Sequence, residues 1–399
     1  MPTPRTVLVV GASLSGHSAA RALRTEGYDG RIVMIGDESH RPYDRPPLSK
    51  GFLTGTTTLE DLWLEGEDDE IGAEWLLGTR ATALDPATRT VRLSDGGSLA
   101  GDAVVVATGS RARRLPTALG GDLAGVHTVR TLEDAASLRT ELVPGARLVL
   151  VGAGFVGAEI AATASGLGLD VTLVEASPTP LAAQLGPELG TVVARLHASH
   201  GVPLLCGTPV AELTGTGRVD GVRLADGRSL PADVVVVGIG SVAAVAWLAG
   251  SGLSIDGGPA GGLACNATGA TGAPAVFGVG DCSAWFDPVV GAHRRVEHWT
   301  DSHERPRHAV RTLLGLTDPQ ASPVLAAPYF WSDQYDVRIQ FAGRRFGDES
   351  VTIEAGSPET GDVLAVYRRG DVATAVLAMN QPRLFGRVRR SLAVSPVAA

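Results

Sequence analysis

One pattern occurs twice in this chain and limits its fold more than any other feature: a short apolar strand, a glycine turn and a helix. Val7 to Val10 lead into Gly11-Ala-Ser-Leu-Ser-Gly16 and a helical stretch from Ser18 to Arg24 that stops at Gly27. Leu148 to Val151 lead into Gly152-Ala-Gly-Phe-Val-Gly157 and Ala158 to Ser165, stopping at Gly166. Each copy continues into a second apolar strand that ends on acid, Ile32 to Ile35 before Asp37 and Glu38, and Val171 to Val174 before Glu175. Two such units imply two parallel sheets with right-handed crossovers.

A length of 399 residues exceeds one ordinary core of ~100 to 200 residues. The predicted fold class is α/β, two Rossmann-like dinucleotide-binding domains plus a small C-terminal α+β domain. Val104 to Val106 run into Ala107-Thr108-Gly109, and Val234 to Val237 run into Gly238-Ile-Gly240, so buried strands end on small-residue turns at matching places in the two copies. After about Pro323 the character changes: Tyr329 to Phe341, Val351 to Ile353, Val363 to Tyr367 and Ala373 to Ala378 read as antiparallel strands, and Ser391 onward as a frayed tail. The expected boundaries are 1–114 and 239–320 for the two parts of the first dinucleotide domain, 115–238 for the second, and 321–399 for the closing domain.

Hydrophobic residues make up 44% and charged residues 19%, a globular balance. The formal charge of −9 argues against nucleic-acid binding and against a polybasic membrane surface, because those partners need surplus Lys and Arg. Cys206, Cys265 and Cys282 are far apart with no CxxC pair, which predicts reduced thiols and a cytoplasmic setting. Residues 234–255 carry no charge over a membrane-spanning length, but Gly238, Gly240, Gly250 and Gly252 break the run into strand, turn and short helix. The amino terminus has only four apolar residues after Arg5 before Gly11, which fits a buried strand rather than a signal core. No metal site is expected.

A GxGxxG between strand and helix lets the backbone pass close to a pyrophosphate, which then rests on the helix amides. The second copy is complete at Gly152, Gly154 and Gly157, with Phe155 and Val156 opening the helix, and it reaches Glu175 where a carboxylate accepts ribose hydroxyls. A carboxylate there repels a 2′-phosphate, and residues 176–190 hold no Arg or Lys, so NADH is expected over NADPH. The first copy has Ser13 in place of the middle glycine, followed by Leu14 and Ser15, so its approach to a phosphate is less close.

Lys50 is the only lysine in the chain. Where every other basic side chain has become arginine, the survivor is expected at a place that needs a compact ammonium.

Seven strings together resemble a known family: Gly11 to Gly16, Arg45-Pro-Pro-Leu-Ser-Lys50, Ala107-Thr108-Gly109, Gly152 to Glu159, Val276-Phe-Gly-Val-Gly-Asp281, Glu297-His298-Trp299 and Tyr329-Phe-Trp-Ser-Asp-Gln334. They are similar, along nearly the whole chain, to the FAD-dependent pyridine-nucleotide ferredoxin and rubredoxin reductases. The resemblance implies FAD in the first unit, NADH in the second, and single-electron delivery to a [2Fe–2S] ferredoxin that supplies an oxygenase such as a haem-thiolate monooxygenase. It implies that Asp281, after Gly280, bonds the ribityl chain, that Lys50 stands near flavin N5, and that Glu159 pairs with Lys50 and meets the nicotinamide. Trp299 and Trp331 match aromatics near the isoalloxazine, and Pro46 and Pro47 the wall behind Lys50; Glu297 and His298 belong to the same string, with His298 read as a satisfied histidine rather than an acid–base group. Chemically, an ammonium beside a ring that receives a hydride stabilises the arriving negative charge.

Some positions depart from the family pattern. Ser241 to Ala246 lack its proline and asparagine, Asn266 replaces an aspartate, and Thr179 and Gln184 stand where arginines grip the adenosine. Disulfide reduction on this fold needs a thiol at the flavin, and residues 41–52 contain none. A rubredoxin reductase, an NADH oxidase of the same fold, or a redox-sensing flavoprotein interaction module remain alternatives, as do monomer and weak homodimer. Residues 321–399 carry nine Arg against eight Asp plus Glu, and Arg383, Arg387, Arg389 and Arg390, with Arg294, Arg295, Arg305 and Arg307, are a candidate docking face for an acidic partner.

Overall fold

The computed structural model describes residues 4–66, 71–257, 261–318 and 327–392. Its two glycine-turn units each build a five-stranded parallel sheet. The first runs in the order Val276–Gly278, Ala103–Val106, Thr6–Val10, Arg31–Ile35 and Glu74–Leu76. The second runs Leu204–Leu205, Asp170–Val174, Arg147–Val151, Val234–Val237 and Val126–His127. The strands Ala103–Val106 and Val234–Val237 are buried at every position, as runs of Val covered on both faces must be. Because Val276–Gly278 lies at one edge of the first sheet, chain from both sides of the second unit meets there. Thr271 fixes that edge, its amide and hydroxyl both donating to Val276 O at 3.0 and 2.9 Å.

A third five-stranded sheet is antiparallel, in the order Tyr329–Gln334, Val337–Gly343, Val372–Met379, Asp362–Arg369 and Ser350–Ser357. The stretch expected as one strand from Tyr329 to Phe341 is a hairpin instead, reversing at Tyr335, whose φ is +55°. The closing helix Pro382–Arg390 lays Phe385, and the turn after it Leu392, into the core on one face of this sheet. Leu392 is therefore buried rather than frayed; residues 393–399 of the expected tail lie outside the described residues. The other face of the sheet packs on the helix Pro187–Ser199 through Leu189, Val193 and Leu196.

Among the described residues no helix is long and apolar enough to cross a membrane. The uncharged run expected to break does so: strand Val234–Val237, strand Ser241–Ala243, then one turn at Ala246–Leu248. Asn266 serves its turn well without a charge, its Oδ1 accepting from Thr268 N, Thr268 Oγ1 and Ala270 N at 2.8 to 3.0 Å.

Candidate active site

At the carboxyl ends of the first sheet lies a cleft of about 1130 Å³, where ligands of open α/β sheets bind. Its floor is the first glycine turn. A Cβ on Gly11, at φ +114°, would stand 2.1 Å from Ala107 O, and one on Gly16 1.8 Å from Gly11 O. Only glycine lets the turn close against Ala107-Thr108-Gly109. Gly280 is required in the same way, since a Cβ there would meet Ser15 Oγ at 2.1 Å. Gly11, Ser13, Leu14, Ser15, Asp37, Glu38, Ala107, Thr108 and Gly109 line the cleft; Gly16 and Gly280 shape it from behind.

Polar groups converge on that floor. Ser13, in place of a glycine, accepts from Arg45 Nε and Nη2 at 3.3 and 3.2 Å. The same guanidinium donates to Glu38 Oε1 at 2.5 Å and to Arg130 O at 2.6 Å, so Arg45 and Glu38 form a partly buried pair beside the turn. Tyr43 donates to Glu38 Oε2, and burial pushes its phenol well above the usual range. Asp37 is more exposed and faces Arg111 at 3.2 Å and Arg80 at 3.7 Å. Asp281 accepts from Arg130 Nη2 at 2.8 Å, Ser110 Oγ at 3.1 Å and Ser302 Oγ at 3.3 Å.

Lys50 and Glu159 meet in the opposite wall. Lys50 Nζ is 2.7 Å from Glu159 Oε2 and donates to Pro46 O at 3.2 Å. Glu159 lies in the first turns of the helix Phe155–Gly166, only 6% exposed, and accepts from Ser49 Oγ and Ser332 Oγ at 2.6 and 2.7 Å. A buried carboxylate without such donors would cost several kcal/mol; here every contact is charge-assisted, worth about 1.5 to 3 kcal/mol each. Trp299 donates to Asp44 Oδ1 at 2.7 Å and crosses Trp331 edge to face at 6.1 Å between centroids. Burial raises the Asp44 carboxyl, opposed by the indole N–H and by Lys50. Burial, as the largest cause, holds His298 below its ordinary value; its ring lies 5.0 Å from that of Phe330, and its buried Nδ1, 3.8 Å from Asp301 Oδ2, makes no hydrogen bond among the described residues, so it is not the satisfied histidine expected. Glu297 hydrogen-bonds Ser241 and Arg295 at the cleft rim.

The second glycine turn stands apart from this floor. A Cβ on Gly152, at φ +100°, would lie 2.4 Å from Gly238 O, and one on Gly157 2.2 Å from Gly152 O. Gly154 is different: the nearest atom to its added Cβ is Gly238 O at 3.9 Å, so nothing in the protein demands a glycine there. The space in front of it is a cradle that a side chain would fill. Glu175 closes the turn, accepting from Ala153 N at 2.9 Å and Ser177 N at 2.8 Å. Gly240, at φ +92°, precedes the short strand Ser241–Ala243 paired with Ser110–Ala112. Phe155, Val156 and Glu159 line the first cleft, so one helix serves both turns.

Sequence reasoning missed the supports. Ser49, Ser332 and Gln334 lie inside strings already singled out, yet no periodicity marks which serine reaches Glu159. Arg130 and Asp44 carry no local signal. The arginine face also needs correction: Arg305 is buried against Asp301 and Trp285, Arg294 is half-buried, Arg295 pairs with Glu297, and Arg307, though exposed, pairs with Glu26. Arg389 lies over Tyr329, leaving Arg383, Arg387 and Arg390 outward on the last helix. No cysteine lines the cleft; Cys265 and Cys282 are buried, and burial pushes both thiols up.

Residues 5–305 match the family described as pyridine nucleotide-disulphide oxidoreductase, and residues 329–396 the reductase C-terminal family. The chain is 37% identical over 392 residues to the biphenyl dioxygenase system ferredoxin–NAD(+) reductase component of Paraburkholderia xenovorans (strain LB400), covering 96% of this chain and 92% of that one. It is 34% identical over 391 residues to putidaredoxin reductase of Pseudomonas putida, with 96% and 90% covered. The crystal structure of the covalent putidaredoxin reductase–putidaredoxin complex superposes with a TM-score of 0.91 at 33% identity, covering 97% of this chain and 93% of that chain. With most of its length matched by that family and relatives alike from end to end, this chain belongs to the pyridine nucleotide-disulphide oxidoreductase family and carries its reductase C-terminal domain.

Proposed function

We propose that this protein is an FAD-containing, NADH-preferring ferredoxin reductase that delivers single electrons to a [2Fe–2S] ferredoxin of an oxygenase system. The observation that carries the reading is the Lys50–Glu159 pair, set where the cleft of the first unit meets the first helix of the second. Relatives that share nearly the whole length are named as a ferredoxin–NAD(+) reductase component and a putidaredoxin reductase, and no thiol among the described residues lines the cleft to divert electrons into disulfide chemistry.

A bound FAD supplies hydride uptake from NADH and release of electrons one at a time. The residues fit that group. The first glycine turn lines the cleft at the start of a helix, where a pyrophosphate would rest on the helix amides, with Arg45 beside it, and Asp281 with Arg130 offers an acceptor and a cation to a polyhydroxyl chain. Lys50 places a compact positive charge where negative charge would arrive, and Glu159 together with Pro46 O keeps that ammonium in place. In the second unit, the cradle at Gly154 suits the pyrophosphate of NADH. The Glu175 carboxylate, held by two amides, still has lone pairs for ribose hydroxyls and repels a 2′-phosphate. The expected working form is a monomer or weak homodimer in the cytoplasm.

Anaerobic stopped-flow tests this directly. Fast flavin bleaching by NADH, slower bleaching by NADPH, and rapid reoxidation by a [2Fe–2S] ferredoxin are expected. Bleaching without transfer to any ferredoxin would overturn it in favour of an oxidase or an interaction module.

A further inference from the structure

The strand Tyr329–Gln334 crosses the helix Phe155–Gly166 with matched spacing. Two strand residues advance about 6.6 Å and four helical residues about 6 Å, so Phe330 meets Phe155 and Ser332 meets Glu159. The phenyl centroids are 4.6 Å apart, and Ser332 Oγ donates to Glu159 Oε1 at 2.7 Å. Gln334, next on that face, donates from Nε2 to Ser332 Oγ at 3.2 Å. Ser332 and Gln334 are both 0% exposed.

A serine hydroxyl has one proton. With Gln334 donating into its lone pair, Ser332 has that proton committed to Glu159. The other carboxylate oxygen takes Ser49 and Lys50, at 2.6 and 2.7 Å. Held at both oxygens, the carboxylate cannot turn away from the ammonium. The Gln334 Oε1 is buried with no partner among the described residues, a cost that an apolar residue in the same place would avoid. A role in packing does not account for that amide; a role in orienting Ser332 does.

We propose that Ser332, oriented by Gln334, is a positioning residue: through Glu159 it sets the Lys50 ammonium for hydride transfer, so the closing domain contributes to the reductive step as well as to the acceptor side. This rests on the reductase reading above. The test compares FAD-loaded wild type with Ser332→Ala in both half-reactions. Flavin bleaching by NADH should slow about tenfold, equivalent to about 1.4 kcal/mol of barrier, while reoxidation of the pre-reduced protein by ferredoxin keeps its rate. Combined with Glu159→Gln, Ser332→Ala should add no further slowing, because both act through one carboxylate. Gln334→Met, which frees the serine hydroxyl to rotate, should slow bleaching by a smaller factor, and it decides the matter if Ser332→Ala fails to fold. Wild-type bleaching in the foldable variant, full additivity with Glu159→Gln, or equal slowing of both half-reactions would overturn the proposal. Absence of NADH bleaching in the wild type would instead overturn the reductase reading, and this proposal with it.

Discussion

Lys50 Nζ lies 2.7 Å from Glu159 Oε2, joining the loop after the first glycine-turn unit to the first helix of the second. Each charge has one wall of hydrogen-bond partners behind it and the cleft in front. Lys50→Met keeps the length of the side chain and removes the charge. FAD should stay bound, and bleaching by NADH should slow more than tenfold, about 1.4 kcal/mol or more of barrier. Stopped-flow at saturating NADH checks this, and a wild-type rate would remove Lys50 from the chemistry.

The glycines of the second turn separate folding from binding. Gly157→Ala would press its Cβ to 2.2 Å from Gly152 O and should lower the melting temperature by several degrees, since a strained core-adjacent turn costs roughly 1 to 3 kcal/mol. Gly154→Ala meets only Gly238 O at 3.9 Å, so the melting temperature should hold while the NADH KM rises at least severalfold. Thermal melts and steady-state kinetics on the two variants check the contrast. Loss of stability in Gly154→Ala would show that this glycine serves the fold.

Glu175 is expected to choose the nucleotide. In Glu175→Ala the NADH KM should rise and the preference over NADPH shrink, because both the ribose acceptor and the repulsion of a 2′-phosphate are gone. The ratio of kcat/KM for the two nucleotides is the measurement, and an unaltered ratio would place selectivity elsewhere.

Arg383, Arg387 and Arg390 are exposed on the last helix, while Arg305 is buried and Arg294 only partly exposed. Neutralising the three outward arginines should raise the ferredoxin KM and flatten its salt dependence, leaving NADH-to-ferricyanide turnover unchanged. Unchanged ferredoxin kinetics would take the helix out of the docking face.

Acid should weaken the fold through two buried histidines. Burial, as the largest cause, lowers His17 and His197 from 6.5 to about 4. The unfolded chain therefore binds more protons between those values, so the contribution is complete above about pH 6.5 and lost as pH falls towards 4. Together the two are worth on the order of a few kcal/mol at the low end. Denaturant unfolding at about pH 7 and about pH 5 should show the loss, and His197→Gln, which keeps a partner for Tyr335, should reduce it. Equal stability at both pH values would contradict the assignment.

The two parallel sheets, their glycine turns and the acids after Ile35 and Val174 were legible in the sequence, because each is set by neighbours along the chain. Alternation and apolar runs make a strand, and a turn that must close without a Cβ requires glycine at a fixed offset. Lys50 was legible too, as the only lysine, and Glu159 by its place after Gly157. The third sheet was visible in outline but not its hairpin at Tyr335, where a positive φ in a tyrosine has no local signature. The hidden part was the company these residues keep. Ser49, Ser332 and Gln334 converge on Glu159, Arg130 and Ser302 on Asp281, and Asp44 on Trp299, from segments remote in the chain. Eight arginines looked alike until packing buried Arg305, tied Arg307 to Glu26 at the surface and left three on the last helix exposed. Local sequence determines which backbone can form; which polar group loses its water, and which partner then replaces that water, is decided only when distant elements pack.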